Sequence, residues 1–474
     1  MFENLEQALQ FIADNGVSML DFKMVDLEGR WRHVTLPASR LNEDLMHYGI
    51  GFDGSNYGYA PVENSDMVFI PDLSTAALDP FTDTSVLSMT GDVMIIATPN
   101  NRPFDQYPRN VLKRATDYMK QIGVADTMIA GPEFEFHIFD SIRFKNDPHY
   151  SMLDIGCDEG YWSTEEVGDG DQIPKKRGYH ADIPQDRHFD LRNEMCELLE
   201  NWGVKVKYHH HEVGSPAQEE IETEMGEVNS MADATMVVKY IVKNTARKWD
   251  KCATFMPKPV YGEAGNGMHV HIILKKDGKP VFYSDNGYGN LSKTALYFIG
   301  GLLKHAPSLC AITNPSTNSF KRLVAGYEAP VTIGYAMANR SAVVRIPAYA
   351  KSPDSKRFEL RNPDATCNPY YAYAAILMAG LDGIVNQIDP AYHNWGPFDC
   401  NLFELPDVQK AKIDALPTNL EDALKALQND CDYLKAGGVF PERLLKTWIN
   451  FKQKELSSLS GIPTPAEFEH YFAL

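Results

Sequence analysis

The stretch Gly131-Pro132-Glu133-Phe134-Glu135-Phe136 lies in a predicted strand, residues 128–139, and places two carboxylates between aromatic side chains. Side chains alternate faces along a strand, so Glu133 and Glu135 point one way and the two phenylalanines point the other way. Alone, such a pattern is typical of a half-exposed strand with a solvated polar face. Its interpretation therefore depends on what the rest of the chain brings beside it.

Other predicted strands carry polar side chains at the same two-residue spacing. His269 and His271 flank a valine, and Glu359 stands two residues before Arg361. Five carboxylates and one histidine thus come from separate segments: Glu133, Glu135, Glu212, Glu220, His269 and Glu359. Carboxylates gathered at one point repel one another unless a cation holds them. Oxygen ligands without cysteine favour Mg²⁺ or Mn²⁺ over Zn²⁺.

Three consecutive histidines, His209, His210 and His211, precede Glu212. Alternation along a strand allows at most His209 and His211 to point the same way. Contact with a ligand and ordinary packing are both open interpretations of these histidines.

Positive charge is concentrated in one region of an acidic chain. Residues 321–361 contain eight Lys or Arg against three acids, whereas the whole chain has a net charge of −19. Planar guanidinium groups suit carboxylate and phosphate oxygens, so this region predicts an anion site, with a solvated basic face as the alternative. Before it, the glycine-rich residues 262–267 would let backbone amides approach an anionic substrate, unless they form only a flexible turn.

The composition excludes several classes of protein. With 474 residues and 44% hydrophobic content, the chain is long enough for two or three folded domains. Seven scattered cysteines without a CxxC pair predict reduced thiols, and no secretory signal or membrane-spanning run is visible, so we expect a soluble cytoplasmic protein. The negative charge argues against nucleic-acid and membrane binding.

Local patterns predict a small mixed unit followed by a larger one in which helices and strands alternate. A helix near residues 2–15 precedes strands at 18–24 and 31–36, joined by a hairpin turn at Asp26-Leu27-Glu28-Gly29. Residues 99–108 are the expected linker. In the larger unit, Ser292 is expected to cap one helix, Asn368-Pro369 to begin another, and residues 157–178 to form a long loop.

The ordered motifs of the chain resemble the glutamine synthetase family, in its bacterial type I class. The matching stretches are Phe52-Asp53-Gly54-Ser55, Gly131–Phe136, His210-His211-Glu212-Val213 with Gln218 and Glu220, Phe255-Met256-Pro257-Lys258-Pro259, Gly267-Met268-His269, the loop from Asn314, and Asn339-Arg340-Ser341. The resemblance implies an α+β protein with a β-grasp-like N-terminal domain, residues 1–104. A large α/β catalytic domain, residues 105–474, would contain a curved, mainly antiparallel sheet and a C-terminal helical tail. It also implies a homo-dodecamer of two hexameric rings, whose active sites lie between neighbouring subunits.

The resemblance further implies roles for individual residues. One metal ion would be held by Glu135, Glu212 and Glu220, and a second by Glu133, His269 and Glu359, with ATP bridging to it. Glutamate would contact Gly265, Arg322, Glu328, Arg340 and Arg361, and the nucleotide would contact His271, Arg340, Arg345 and Arg357. The residues of the chemical steps would be Asp53, Glu328 and Arg340, of which Asp53 would come from an adjacent subunit to bind ammonium.

The implied reaction joins glutamate and ammonia through a γ-glutamyl phosphate formed from ATP. A γ-glutamyl-amide ligase acting on a polyamine or other amine, and a catalytically silent assembly or regulatory relative, are the alternatives. Asp53 and Glu328 favour ammonia over larger amines, and the complete metal set argues against a silent protein. Ala264, Ile273 and Asp354 depart from the usual family pattern at substrate-contacting positions.

Phe403 occupies the position of a tyrosine that some family members adenylylate. A phenyl ring has no hydroxyl to accept a nucleotide, so we predict that the chain is not adenylylated there. Incubation with an adenylylating enzyme and labelled ATP, followed by peptide mapping, should leave the peptide around residue 403 unlabelled. Label on residue 403 would refute the prediction.

Overall fold

A computed structural model describes residues 2–60, 62–97, 100–339, 341–400, 408 and 413–474. Phe403 and Arg340 therefore lie outside the described residues. The described α-helices are Leu5–Asp14, Glu43–Tyr48, Pro108–Gln121, Thr164–Val167, Phe189–Asn201, Val228–Lys248, Lys293–Lys304, Ala306–Thr313, Ser319–Arg322, Pro369–Val385, Leu420–Asn429, Asp432–Lys435, Glu442–Ser460 and Pro465–Tyr471.

Two four-stranded sheets form the N-terminal unit. The first has the order β2 (Trp31–Pro37), β1 (Met19–Val25), β6 (Val86–Met89) and β5 (Ala77–Leu78), with β1 and β6 parallel. The second has the order β3 (Ile50–Asp53), β4 (Asp66–Pro71), β7 (Gly91–Ile95) and β8 (Arg102–Pro103). Asp26 accepts hydrogen bonds from the backbone amides of Glu28 and Arg30, which closes the predicted hairpin turn between β1 and β2.

A ten-stranded sheet forms the centre of the larger unit. Its main order is β12 (Val206–His211), β13 (Gln218–Thr223), β9 (Thr127–Phe139), β16 (Val270–Lys276), β20 (Phe358–Leu360), β19 (Ala342–Ile346) and β18 (Thr332–Met337). Strands β14 (Gly226–Glu227) and β15 (Cys252–Thr254) pair with β9, and β17 (Lys279–Pro280) pairs with β16. Among the described strands of this sheet, only β18 and β19 pair in parallel. The sheet is therefore mainly antiparallel, as the resemblance implied.

The long helix Pro369–Val385 lies in the core of the larger unit. It packs against Lys293–Lys304 and Pro108–Gln121, and residues 369–381 are all buried. Ser292 caps the helix Lys293–Lys304 by accepting a hydrogen bond from the Ala295 amide, as predicted. Asn368 is at the predicted N-cap position but makes no side-chain cap. Instead it donates to the carbonyls of Asp26 and Leu27, because the N-terminal hairpin turn lies directly against it.

One element was absent from the sequence-based prediction. Strands β10 (Ser141–Asp147) and β11 (Tyr150–Gly156) form a separate hairpin that projects from the end of β9. Phe144 and Leu153 on it are exposed, so no alternation of buried and exposed residues marks these strands in the sequence. The segment after the hairpin was expected to be one long loop, and it contains the short helix Thr164–Val167.

Two general expectations can be compared with the described chain. All seven cysteines are free, as predicted. Among the described residues, no single helix has the length and apolarity needed to cross a membrane, and the only helix pair that passes together, Lys293–Lys304 with Ala306–Thr313, is bent by 75°.

Arg109 joins the N-terminal unit to the larger one through three ion pairs. Its guanidinium lies 2.7 Å from Asp72 and 3.1 Å from Asp92, which belong to the N-terminal unit, and 2.9 Å from Asp233 on the helix Val228–Lys248. The Arg109 side chain is buried, so removing it leaves three carboxylates without their shared cation.

We predict that Arg109→Ala lowers the free energy of unfolding by about 3–5 kcal/mol, the range for breaking a buried ion pair. Lys113→Ala is the matched control, since Lys113 also pairs with Asp92 but its side chain is 41% exposed, and its loss should be below about 1 kcal/mol. Denaturant unfolding followed by circular dichroism measures both values. Equal losses in the two variants would contradict this role of Arg109.

Candidate functional site

A cavity of about 420 Å³ opens beside the end of the ten-stranded sheet where its polar side chains converge. It is lined by Glu133, Glu135, Tyr179, Lys207, Tyr208, His210, Glu212, Val213, Glu220, His269, Glu328, Arg345, Tyr349, Glu359 and Arg361. The six residues of the predicted metal set are all present in this lining. Separate strands bring them together, as the spacing of the polar stretches indicated.

Sheet register explains how the carboxylates meet. Glu135 on β9 lies opposite Glu220 on β13, and Glu133 lies opposite Glu222. Like charges directly across a ladder normally destabilise a sheet. The ladder therefore needs positive partners on the same face.

The first group of candidate ligands is Glu133, His269 and Glu359. The Nδ1 atom of His269 lies 2.9 Å from a Glu133 oxygen and 3.5 Å from a Glu359 oxygen. One potential ligand atom from each of the three residues lies within 4.8 Å of the others. This is the grouping that the family resemblance implied for one metal ion.

The second group contains a histidine for which the sequence left both ligand contact and ordinary packing open. His210, Glu212 and Glu220 also bring three potential ligand atoms within 4.8 Å, with His210 Nε2 3.5 Å from Glu220. Glu135 borders both groups, since one oxygen accepts from the Gly267 amide at 2.6 Å and the other lies 3.7 Å from His269 Nε2. The strand of three histidines had allowed His209 and His211 to face a site together. The pairing of His210 with Glu220 selects the other face.

The carboxylates of the cavity differ sharply in protonation equilibrium. Burial, together with the charges of neighbouring carboxylates, raises the pKa of Glu212 and of Glu220 well above the ordinary value. Burial also opposes ionisation of Glu133, but His271 and His269 outweigh it and hold the pKa of Glu133 well below that value. The neighbours of Glu133 therefore favour its ionised form, whereas the neighbours of Glu212 and Glu220 oppose theirs.

Two arginines hold Glu359 from the opposite side of the cavity. Arg345 donates to one carboxylate oxygen of Glu359 at 2.5 Å, and Arg361 donates to the other at 3.0 Å. The two guanidinium groups line the cavity beside the carboxylates, so acidic and basic walls face one space. An anion bearing its own cations fits such a space better than a neutral molecule does.

Several predicted residues support the cavity from behind. His271 contacts Glu133 at 2.8 Å and accepts from Arg357, and neither of these two side chains lines the cavity. Arg322 donates to the carbonyls of Arg361, Asn362 and Pro363. Close packing here also explains Gly267, where a Cβ would lie 2.5 Å from Arg322 and 2.9 Å from His269.

Gly265 and Asp53 are two further predicted residues that lie outside the cavity lining. Gly265 is buried, and its carbonyl accepts from the Gln218 side chain. Asp53 is exposed at the end of β3 and accepts from the Ser55 amide and the Asn56 side chain. Hydrogen bonds from the side chain and the backbone amide of Ser55 lower the pKa of Asp53. Arg340 lies outside the residues that the structure describes.

Glu328 reaches the cavity on an irregular segment between the helix Ser319–Arg322 and β18. Its backbone has a φ of 58°, which is uncommon for a residue other than glycine. Tyr327 beside it lies under the ammonium groups of Lys176 and Lys258, each 3.9 Å from the ring centre. These cation–π contacts fix the segment that carries Glu328.

Family models cover the chain in two parts. Residues 16–95 match "Glutamine synthetase, beta-Grasp domain", and residues 105–471 match "Glutamine synthetase, catalytic domain". The chain belongs to the glutamine synthetase family. The expected fold class, a β-grasp N-terminal domain with an α/β catalytic domain, is confirmed.

Individual members of the glutamine synthetase family resemble the chain along its whole length. It is 44% identical to a glutamine synthetase of Frankia alni, with 100% of each chain covered. Among solved structures, it resembles Plasmodium falciparum glutamine synthetase with a TM-score of 0.88 and 26% identity, covering 99% of each chain. It also resembles ligand-free GmaS with a TM-score of 0.79 and 30% identity, covering 98% of this chain and 99% of that one.

We predict that Glu220→Gln raises the stability of the metal-free protein, because it removes one of several repelling carboxylates. A buried acid whose pKa is raised on folding destabilises the fold above its unfolded pKa, so the gain should grow as the pH rises above about 4–5. The same variant should lose most of the increase in Tm that millimolar Mn²⁺ gives the wild type.

Glu224→Gln is the matched control, since Glu224 follows the same strand but is exposed. Its Tm should equal that of the wild type with and without Mn²⁺. Thermal unfolding after chelation and after addition of Mn²⁺ measures both effects. A metal-free Glu220→Gln protein less stable than the wild type would contradict the repulsion argument.

Proposed function

We propose that the chain is an ATP-dependent glutamate–ammonia ligase that makes glutamine through a γ-glutamyl phosphate. The observation that carries the proposal is the cavity in which two groups of acidic and histidine ligands face Arg345 and Arg361. Phosphoryl transfer to a carboxylate needs this combination, because both reacting partners are anions whose repulsion must be screened.

The donor set suits two divalent cations of the Mg²⁺ or Mn²⁺ class. The ligand atoms are mainly carboxylate oxygens, with one imidazole in each group. Glu133, His269 and Glu359 would hold one cation, and Glu135, Glu212 and Glu220 the other, with His210 adjacent. When bound, the cations neutralise phosphate oxygens and polarise the transferred phosphoryl group.

The basic wall would bind the two anionic substrates. We assign Arg340, Arg345, Arg357 and His271 to ATP, and Arg322, Arg340, Arg361, Glu328 and the Gly265 backbone to glutamate. Arg322 donates to the carbonyls of Arg361 and Asn362, and it would contact glutamate while it keeps these hydrogen bonds. Arg345 and Arg361 would exchange part of their contact with Glu359 for phosphate and carboxylate oxygens.

The reaction then takes two steps. The γ-carboxylate oxygen of glutamate attacks the γ-phosphorus of ATP, and the bond to ADP breaks. Ammonia attacks the resulting acyl phosphate, and inorganic phosphate leaves. Asp53 of an adjacent subunit would bind ammonium and help to remove its proton, while Glu328 accepts a proton from the tetrahedral adduct and Arg340 stabilises phosphoryl charge.

The proposed assembly is a dodecamer of two hexameric rings. It is supported by the position of Asp53 outside the cavity lining of its own chain, so a neighbour can supply it. The C-terminal segment is also exposed from residue 457 to residue 474, including Phe468, Phe472 and Leu474. We propose residues 1–104 and 105–474 as the two domains.

A cytoplasmic location is part of the same proposal. It is supported by the seven free cysteines, which suit a reducing compartment.

The test is ATP-dependent phosphate release by the purified protein with glutamate and Mg²⁺ or Mn²⁺, comparing ammonium with methylamine, ethylamine and putrescine. We expect strong and selective stimulation by ammonium. Preference for an amine would instead make the chain an amide ligase. The structural similarity to GmaS is the reason for including amines in the comparison. No turnover with any acceptor would overturn the proposal.

Asp53→Asn should lower kcat/KM for ammonium by about 10²–10⁴-fold, because the ammonium pocket loses its charge and its base. Asp66→Asn is the matched control, since Asp66 is exposed and lies opposite Asp53 in the same strand pair. Its activity should equal that of the wild type. Equal activity of the two variants would remove Asp53 from the mechanism.

A further inference from the structure

The strand pair that supplies Glu220 to the cavity carries a second polar pair on its reverse face. His210 lies opposite Glu220 in the ladder, and the next residues, His211 and Glu219, also lie opposite each other. Alternation turns this second pair away from the cavity and into the protein interior. His211 and Glu219 are both 0% exposed, so charged groups are buried on the face where Phe134 and Phe136 pack.

Two more polar side chains converge on this pair from the segment that follows the projecting hairpin. Glu159 and His188 are buried, and each reaches both the loop and the sheet. His188 Nδ1 lies 3.4 Å from Glu159 and 3.3 Å from Glu219, and His211 Nε2 lies 3.3 Å from Glu159. Two imidazoles and two carboxylates therefore surround one point.

These separations are long for hydrogen bonds between charged groups, which are about 2.7–2.9 Å. They equal the separation between two ligand atoms on one small cation, and Glu159 presents a different oxygen to each histidine, so its carboxylate would span the two. A cation with four nitrogen and oxygen ligands at about 2.0–2.1 Å places those ligand atoms about 3.3–3.4 Å apart. One ligand atom each from Glu159, His211 and Glu219 also lies within 4.8 Å of the others.

Unsatisfied polar atoms point to the same conclusion. Both ring nitrogens of His188 and the Oε1 atom of Glu219 are buried and have no hydrogen-bond partner among the described residues. A buried polar atom without a partner is expensive, so native proteins rarely leave several together. A bound cation would satisfy His188 Nδ1 and Glu219 Oε1 at once.

The surrounding hydrogen bonds orient the ligands as metal sites require. His211 Nδ1 lies 2.7 Å from the Glu212 carbonyl, an acceptor only, so Nδ1 carries a proton. Nε2 faces Glu159 Oε2 at 3.3 Å and can bind a cation in place of its own proton. The second oxygen of Glu219 accepts from Arg192 at 2.5 Å, which leaves Oε1 for the cation. The positive charge of Arg192 is shared with Asp186 at 2.5 Å.

The charge balance also fits a divalent ion. The buried charges that face the point are the carboxylates of Glu159, Glu219 and Asp186 and the guanidinium of Arg192. One divalent cation bound to neutral imidazoles makes this group neutral. Without a cation, the neighbouring carboxylates overcome burial and raise the pKa of His188 and of His211 to about 9, so two protons supply the same charge that the cation would replace. Two imidazole ligands and full burial do not suit Mg²⁺, which prefers oxygen ligands and keeps several waters.

We propose that Glu159, His188, His211 and Glu219 form a structural site for a zinc-class divalent cation, separate from the cavity. The site would tie the segment 157–188 to the sheet. That segment carries Tyr179, which lines the cavity, and Lys176, whose ammonium lies over Tyr327. A cation on the reverse face of the sheet would thus fix one wall of the cavity without touching substrate.

Metal analysis of the purified full-length protein tests the proposal. After chelation and gel filtration to strip ions from the open cavity, we expect about one zinc per chain to remain, as for a closed structural site. Glu159→Gln should reduce this to about one-tenth or less, whereas Glu135→Gln, altered only on the cavity side, should retain it. Glu165→Gln, an exposed position on the same segment, is the matched control and should also retain it.

A measurement on the unaltered protein keeps the test independent of folding in the variants. Crystals measured above the zinc absorption edge should show an anomalous peak between the four side chains. Replacement by Co²⁺ should give the intense visible absorption of a tetrahedral ion, lost in Glu159→Gln. The absence of both the peak and retained metal would overturn the proposal, as would equal zinc in Glu159→Gln and the wild type.

Discussion

Repulsion between carboxylates is the constraint on which the rest of this structure depends. The pairing of β9 with β13 places Glu135 against Glu220 and Glu133 against Glu222 in a buried ladder. A sheet cannot hold such a ladder unless positive groups converge on the same face. Strand β16 delivers His269 and His271 to Glu133, and β19 and β20 deliver Arg345 and Arg361 to Glu359. The strand order of the sheet therefore places each positive group beside the acid that requires it.

Positive groups do not balance the carboxylates in one half of the cavity, and this imbalance suits that half to binding a cation. Glu133 and Glu359 keep a lowered pKa because histidine and arginine outweigh their burial. Burial and the charges of neighbouring carboxylates raise the pKa of Glu212 and of Glu220. A group of acids that the protein itself does not neutralise will bind an external divalent cation strongly. Stability is given up at the position where the chemistry needs a cation, a pattern common at functional sites.

Much of the site could be predicted from the sequence because strand periodicity is a local property. The spacing of Glu133 and Glu135 indicated a shared face, and the charge contrast of residues 321–361 indicated an anion site. Register is not local, so the sequence could not assign the face that His210 occupies. Its face depends on an irregularity in the pairing between Val206 and Tyr208, which no propensity reveals.

The supporting role of Arg322 could not be predicted either, since the carbonyls it contacts lie about 40 residues away in the chain. The projecting hairpin, with exposed apolar residues on both strands, shows no periodicity from which it could be predicted.

The turn between β12 and β13, residues 212–217, shows how such a chain can change during evolution. Side chains of a strand alternate with a period of two, so a one-residue insertion that shifted the pairing would turn every side chain of one strand to the opposite face. His211 would then enter the cavity, and His210 would enter the apolar interior. We therefore expect relatives to vary in length at the exposed hairpin tip near residues 147–150 but to keep the length of this turn, whatever its composition. When both faces of a strand pair carry essential side chains, the connecting turn is constrained in its length rather than in its residues.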